Sequence, residues 1–365
     1  MMNTKLGFLS IAFMYVGAIM GAGFASGREI WQFFGVFGKL GYLGVGLVCV
    51  LFMIIGFMTS RIACILNTED MGRVIVPGDN WFLKSFVAYF LAIVLFMVFT
   101  FMSAAGGALF SQQFGQSEKL GGAVIVSLAI ITVIGGFSRL SKAFRFVVPV
   151  LMTTVVFISV IVIIKNSGMP VTVETFKPSP LAGSWHLAAF LYLSLNVLAV
   201  IPIISKASIQ AKSNRHAYFG SVLGGFFVGM LAFILFHAMR TEPGFSNSMD
   251  MPMLAFSEKL SPAANLTYTF VLLFAIYATA TMTFYASTTK LIKGSHEKLK
   301  IFITAWAGFA MGLVGFSRIV EYVYPIIGFL GISIVVMLTV NFILLVIKER
   351  KTQKTTNEYS VKTIW

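Results

Sequence analysis

The stretch GAIMGAGFASGREI, Gly17 to Ile30, places glycines, a serine and an Arg-Glu pair inside an otherwise apolar segment. The pairs Gly17/Gly21 and Gly23/Gly27 have the spacing that lets two membrane helices pack closely. The same density of glycine, a weak helix former, is also typical of a membrane helix that unwinds where it faces protein or a watery cavity. A broken helix exposes carbonyl groups to cations and amide groups to anions. The stretch therefore indicates either a packing seam or a candidate binding site.

The composition of the chain is that of a polytopic membrane protein. Of its 365 residues, 58% are hydrophobic and 11% charged, whereas charged residues make up about a quarter of soluble domains. The two cysteines, Cys49 and Cys64, provide neither a disulfide framework nor a metal-binding spacing, so no cofactor is expected. The net charge of +14 is scattered among short connections rather than gathered on one face, which argues against nucleic acid as a partner. The expected partners are the lipid bilayer and a small molecule, and the sequence leaves the oligomeric state open.

Ten apolar segments approach the length of about 20 residues that a helix needs to cross a bilayer. They are 6–36, 40–63, 83–112, 121–137, 143–164, 185–204, 217–239, 263–290, 301–317 and 320–347. An even number of spans puts both termini on one side, and placing them in the cytoplasm assigns 19 of the 27 Lys and Arg to the inner side. The positive-inside rule favours that arrangement. The sequence thus predicts a multi-pass protein of the cytoplasmic membrane with both termini inside.

The sixth span carries a second candidate interruption. It reads LYLSLNVLAVIPIIS and has Ser194 and Asn196 at mid-membrane, followed by Pro202. Proline removes a helical hydrogen bond, so a simple kink would explain the same pattern. Breaks in spans one and six, with five spans in each half, are what an inverted repeat requires, because five crossings turn the second half upside down. The predicted units are a first repeat at 1–164, an external connection at 165–184, an inverted second repeat at 185–347 and a cytoplasmic tail at 348–365.

These features resemble the amino acid-polyamine-organocation superfamily and its LeuT-type fold. The phrase GAIMGAGFASGREIWQFF in particular resembles the YkvI-like membrane proteins, a family regarded as amino acid permeases. The resemblance covers the chain to about Ile347, but the motif that is specific to the family lies in the first span. It implies an all-α core of ten helices in which spans one, three, six and eight line a central site. Transport by alternating access would follow.

The resemblance and the two interruptions together suggest a set of site residues. The expected substrate-facing residues are Gly21, Ala22, Gly23, Phe24, Ala25, Ser26, Ser103, Ser194 and Asn196. The expected ion-facing groups are the carbonyls of Gly17 and Met20 and the hydroxyls of Thr279, Thr281 and Thr283. Phe24 stands where better-known sodium symporters carry asparagine, which puts a second sodium site in doubt and leaves Na⁺ and H⁺ open as the coupling ion.

Charged residues follow the glycine stretch and open the last span. Charges at membrane depth are costly and usually mark a pathway or an ion pair. The resemblance gives Arg28 and Glu321 the role of an outer gate above the substrate. Glu29 either belongs to that gate, carries a coupling proton or receives a cationic substrate, and a solvated position at headgroup level would also explain these charges.

The predicted function is a secondary active transporter, not an enzyme, for an amino acid or a related amine. The sequence lacks the rings of charge expected of a channel and the nucleophile or carboxylate pair expected of an enzyme. A permease-like receptor that binds without transporting would keep the same fold, so it stays open as the alternative. In the connection 241–262, the segment MPMLAFSEKL has helical apolar spacing, which predicts a short external helix near Met251–Lys259.

Overall fold

The computed structural model describes residues 5–78, 80–135, 140–167, 176–292 and 296–362, without the side chains of 140–147, 289 and 351–362. Within these residues the regular structure is helical. The helices are α1 Phe8–Ile19, α2 Ala22–Ala25, α3 Arg28–Phe33, α4 Leu40–Leu66, α5 Met71–Ile75, α6 Trp81–Phe114, α7 Glu118–Gly135, α8 Leu140–Lys165, α9 Trp185–Ile209, α10 Asn214–Met239, α11 Pro243–Ser248, α12 Pro252–Leu260, α13 Pro262–Leu291, α14 Glu297–Gly312, α15 Phe316–Arg318 and α16 Tyr324–Lys362. A 3₁₀ turn, Gly35–Phe37, follows α3, and a π-helical segment, Ile319–Val323, precedes α16.

Within the described residues, eight helices are long and apolar enough to cross a membrane: α4, α6, α7, α8, α9, α10, α13 and the helical run from α15 through α16. The predicted first span is divided among α1, α2 and α3. The predicted ninth span is α14, whose 16 residues are fewer than the usual 20 or so. A multi-pass membrane protein is therefore confirmed, and the count of ten crossings stays a prediction.

The long helices pack as two groups. One group contains α1, α4, α9 and α10, and the other contains α6, α7, α13 and α14. Several pairings recur when the two halves of the chain are exchanged: α4 pairs with α10 and α6 with α13, the pair α4/α9 corresponds to α1/α10, and α7/α13 corresponds to α14/α6. The pair α6/α7, by contrast, has no comparably close counterpart in the described residues of α13/α14. Recurring pairings of this kind are expected of two structural repeats.

Two short helices occupy corresponding places in this pattern. In the first half, α5 packs against α4, α6, α9 and α16; in the second half, α12 packs against α10, α13 and α8 and bonds to the first span. The short helix predicted near Met251–Lys259 is thus confirmed as α12, Pro252–Leu260, with proline at its first position, where the missing amide costs nothing. Its place outside the membrane stays a prediction.

The predicted interruption of the sixth span is wrong. The helix α9 is continuous from Trp185 to Ile209 and contains Pro202. The polar side chains do not require a break, because Ser194 Oγ and Asn196 Nδ2 donate to the carbonyls four residues earlier, at 2.8 and 2.9 Å. The alternative of a proline within an intact helix therefore describes this span.

Apolar side chains cover the outside of the molecule as well as its interior. Phe157 and Phe270 are each 63% exposed, while Trp31 and Phe52 are completely buried. Lipid covers such an exposed apolar surface, so helix association depends on close packing rather than on hydrophobicity alone. The backbones of α1, α4 and α10 approach closely, with Gly224 of α10 lying against the Tyr15 ring of α1.

A candidate substrate and ion site at the broken helix

The first span is broken twice. The helix α1 ends at Ile19, Met20 and Gly21 are not helical, and α2 forms a single turn before a second break at Ser26 and Gly27. Gly27 has φ of +83°, a left-handed conformation that strains any other residue. The break predicted in the glycine stretch is therefore confirmed, although residues 22–25 form the helical turn α2 and the non-helical positions lie on either side of it.

Groups from two other elements bind the freed backbone. The Tyr268 hydroxyl on α13 donates to the Ala25 carbonyl at 2.5 Å, and the Met253 amide of α12 donates to the Ser26 carbonyl at 2.9 Å. The Ser26 hydroxyl donates to the Gly23 carbonyl at 3.1 Å. Irregular backbone at membrane depth needs such internal partners. The break is thus held in place by α12 and α13, which are separate elements.

The Glu29 carboxyl group packs directly on Gly23. A Cβ atom at Gly23 would lie only 2.0 Å from Glu29 Oε1, so a side chain there would displace the carboxyl group. Glu29 is 7% exposed, and the hydroxyls of Tyr192 on α9 and Tyr324 on α16 face its carboxyl group. Asn196 lies beside the same Tyr192 hydroxyl. The structure therefore joins the break, α9 and α16 in one buried polar cluster around Glu29.

The predicted substrate-facing residues separate into two sets. Ala22, Phe24, Ala25 and Ser26 lie at the break and are completely buried. Ser103 instead packs on Gly122 of α7 and Gly312 of α14, and Ser194 packs on Gly331 of α16. The geometry thus brings Gly21 to Ser26 and Asn196 toward one region, while the contacts of Ser103 and Ser194 are with neighbouring helices.

Of the three predicted ion-facing threonines, Thr279 has its side chain beside the break. A Cβ built on Gly21 would be 3.8 Å from the Thr279 side chain. The hydroxyls of Thr281 and Thr283 donate to the carbonyls of Tyr277 and Thr279, both at 2.8 Å, within their own helix. Met20 sits at the first break, whereas Gly17 lies one turn earlier against Val148 of α8. An ion site at these positions stays a prediction. Among the described residues, no group of three His, Cys, Asp or Glu side chains is arranged to hold a metal ion.

The Arg28 guanidinium binds the connection between α11 and α12. Its Nη1 donates to the carbonyls of Asn247 and Met249 at 3.1 and 3.2 Å. Asp250 and Glu321 are the acidic groups that face it, and the ion pairs found among the described residues do not include a direct Arg28–Glu321 pair. The predicted gate pair is therefore part of a larger cluster, and its gating role stays a prediction.

The connection from α11 to α12 covers the break at several points. Trp31 Nε1 donates to Asn247 Oδ1 at 3.0 Å. Gln112, at the end of α6, both donates to the Met251 carbonyl and accepts from the Met251 amide, each at 3.0 Å. We call residues 243–260 the cover segment. In this conformation the cover segment closes one end of the broken helix.

Several of these partners were missed by the sequence interpretation. The tyrosines of the site, Tyr192, Tyr268 and Tyr324, lie inside predicted apolar spans, where a phenol hydroxyl needs a hydrogen-bond partner. That need is the signal that would have identified them as polar positions. Nothing in the sequence shows which carbonyl or carboxyl group each tyrosine meets.

The comparisons with known proteins agree with this architecture. No protein-family model matches the chain. It is 24% identical over 331 residues to YkvI of Bacillus subtilis (strain 168), described as an uncharacterized membrane protein, and the match covers 89% of this chain and 93% of YkvI. The resemblance to the YkvI-like proteins is therefore confirmed.

Solved transporter structures share the fold. MhsT in complex with L-phenylalanine matches with a TM-score of 0.60 and 16% identity, covering 92% of this chain and 87% of MhsT. Mhp1, a nucleobase-cation-symport-1 family transporter in a closed conformation with bromovinylhydantoin bound, matches with a TM-score of 0.54 and 16% identity, covering 85% and 72%. The fold of this chain is LeuT-type, and the different bound molecules show that the fold alone does not specify a substrate.

Proposed function

We propose that the chain is a secondary active transporter that moves a small solute across the cytoplasmic membrane by alternating access. The solute is an amino acid or a related amine, and transport is coupled to Na⁺ or H⁺. The proposal includes cytoplasmic termini and two inverted repeats, 1–164 and 185–347, joined by 165–184 and followed by the tail 348–365.

One observation carries the proposal: the buried break in the first span, with its backbone groups bound by α12 and α13. A broken membrane helix presents both carbonyl and amide groups, which suit the ammonium and carboxylate groups of an amino acid. Because these hydrogen bonds come from two separate elements, they can break when one of the elements moves. The resemblance of the first span to amino acid permeases supports the same solute class.

Reconstituted protein tests this proposal directly. Liposomes containing the purified chain are supplied with radiolabelled L-leucine, L-phenylalanine, L-serine, L-lysine and L-glutamate, each under an inward Na⁺ gradient, an inward H⁺ gradient or neither. We expect at least one amino acid to accumulate above the level in empty liposomes under one gradient. Binding without accumulation would support a receptor and contradict the proposal.

A pair of glycine variants links uptake to the break. Gly27 and Gly78 both have left-handed φ, +83° and +78°, but Gly78 lies in a connection with nothing within 4 Å of a built Cβ. Alanine strains the backbone similarly at both positions, while at Gly27 it also meets Met239 Sδ at 2.7 Å. We expect Gly27→Ala to lose uptake and Gly78→Ala to retain it. Equal uptake by the two variants would contradict a role for the break.

A further inference from the structure

Glu29 is a buried carboxyl group without a cationic partner. None of the ion pairs among the described residues includes it. Its neighbour Arg28 directs its guanidinium to the carbonyls of Asn247 and Met249. An ionised carboxylate buried in this way is costly, because neither water nor an opposite charge stabilises it.

The surroundings of Glu29 are aromatic. The ring of Tyr192 lies 5.2 Å from that of Phe33 and 5.3 Å from that of Phe34, and the ring of Tyr324 lies 5.0 Å from that of Phe101. The Tyr192 hydroxyl is itself completely buried, and it faces the Glu29 carboxyl group and the Asn196 side chain. This hydroxyl can donate to either form of the carboxyl group, and a protonated carboxyl group can in turn donate to it.

Within the described part of the chain, the groups that face Glu29 from neighbouring helices can donate hydrogen bonds to its carboxyl group but bring no positive charge to it. From α9 and α16 the facing groups are the neutral phenols of Tyr192 and Tyr324. The acidic groups of the neighbouring segments, Asp250 and Glu321, face Arg28 instead. The end of α10 presents the uncharged Met239 to Gly27.

The position of Glu29 ties its protonation to the shape of the break. Its carboxyl group rests on Gly23 of α2, while its two hydroxyl neighbours belong to α9 and α16. Movement of α3 away from either helix would open the carboxyl group to water, where a glutamate ionises near pH 4. We propose that Glu29 carries the coupling proton: it holds the proton while the break is closed and releases it to water when the break opens. This inference rests on the proposed transport function and assigns its coupling ion.

Infrared titration tests the protonation itself, without a substrate. Reconstituted wild type, Glu29→Gln and Glu297→Gln are compared from about pH 5 to about pH 10, a range in which an exposed glutamate is already ionised. Glu297 is an exposed carboxyl in the first turn of α14 and serves as the matched control. We expect the C=O stretch of a buried protonated carboxyl in wild type and Glu297→Gln, and its loss in Glu29→Gln. Glu29→Asp should retain a carboxyl band, and a band that persists unchanged in Glu29→Gln would overturn the assignment.

Uptake and exchange in the same liposomes separate coupling from transport. With the five amino acids named above, we expect Glu29→Gln to lose H⁺-driven accumulation and to retain exchange of internal for external amino acid. Undiminished H⁺-driven accumulation in Glu29→Gln would overturn the inference while leaving the transport function intact. Loss of exchange for L-lysine alone would place Glu29 in substrate recognition and likewise overturn it. Absence of both uptake and exchange in wild type would contradict the proposed function.

Discussion

Gly23 and the Glu29 carboxyl group are in direct contact, so the size of one residue limits the size of the other. Gly23→Ala would push a methyl group into the Glu29 carboxyl group, and overpacking of this kind costs about 1–3 kcal/mol. Glu29→Ala removes the obstructing atoms, so we expect the double variant to be more stable than the sum of the two single variants indicates, by about 0.5–3 kcal/mol. The stabilities of wild type, the two single variants and the double variant, which form one thermodynamic cycle, are measured by thermal unfolding in detergent.

Gly46 provides the control for this cycle. It lies in α4, and nothing approaches within 4 Å of its built Cβ. Gly46→Ala should be neutral or slightly stabilising, because alanine is the better helix former. Simple additivity of Gly23→Ala and Glu29→Ala would contradict the contact on which the proton site depends.

Tyr268 stabilises the break through one hydrogen bond to the Ala25 carbonyl. Tyr268→Phe keeps the ring but leaves a buried carbonyl without this donor, at a cost of about 1–3 kcal/mol. We expect a lower unfolding temperature and faster hydrogen exchange of the amides in residues 20–27. Tyr89, 51% exposed, is the control, and Tyr89→Phe should change stability by no more than about 0.5 kcal/mol. Unchanged exchange in residues 20–27 of Tyr268→Phe would contradict this role.

At the scale of elements, the sequence predicted the broken first helix and the short helix α12 but not the state of the sixth span. Gly21, Gly23 and Gly27 are weak helix formers, and the first helix breaks among them. Glycine density alone does not decide this outcome, because α10 is continuous with four glycines. In α9 the polar residues are serine and asparagine, which bond back to their own helix and remove the need for a break. Residue type alone does not distinguish these outcomes.

The sequence likewise predicted only part of the candidate site. The position of Glu29 and its possible role follow from the sequence, since a charge beside a glycine turn in a membrane span is unusual. Its partners Tyr192 and Tyr324 come from distant parts of the chain, and only the helix packing brings them together. Ser103 and Ser194 were predicted from the resemblance and the sixth-span pattern; both pack on glycines of neighbouring helices, and their role in substrate binding stays a prediction.

The cover segment closes over the break through Gln112. Gln112→Ala removes both of its hydrogen bonds to Met251. In a protein whose two native cysteines are replaced by alanine, we expect this variant to increase the rate at which a maleimide labels a cysteine placed at Ala25. The neighbouring Gln113→Ala is the matched control and should leave the labelling rate unchanged. Equal rates in the two variants would show that Gln112 does not hold the cover segment closed.

The proposed transport requires relative motion between the two helix groups. The helix α8 packs against α10 of one group and α13 of the other, and α2 packs against α6 and α13, so these elements join the two groups. The helix α10 alone, with 26 residues, is about 39 Å long. Alternating access requires one end to open as the other closes. A channel would open both ends together, and a static receptor would open neither.

Spin-label distances at the two ends of the molecule measure this motion. One pair is Lys39, before α4, and Gln116, after α6; the other is Lys212, before α10, and Lys298 in α14, and all four residues are exposed. Distances are measured by pulsed electron paramagnetic resonance in lipid nanodiscs over a pH series. We predict that the long-distance population of one pair grows as that of the other shrinks. Both pairs lengthening together, or neither changing under any condition, would contradict alternating access.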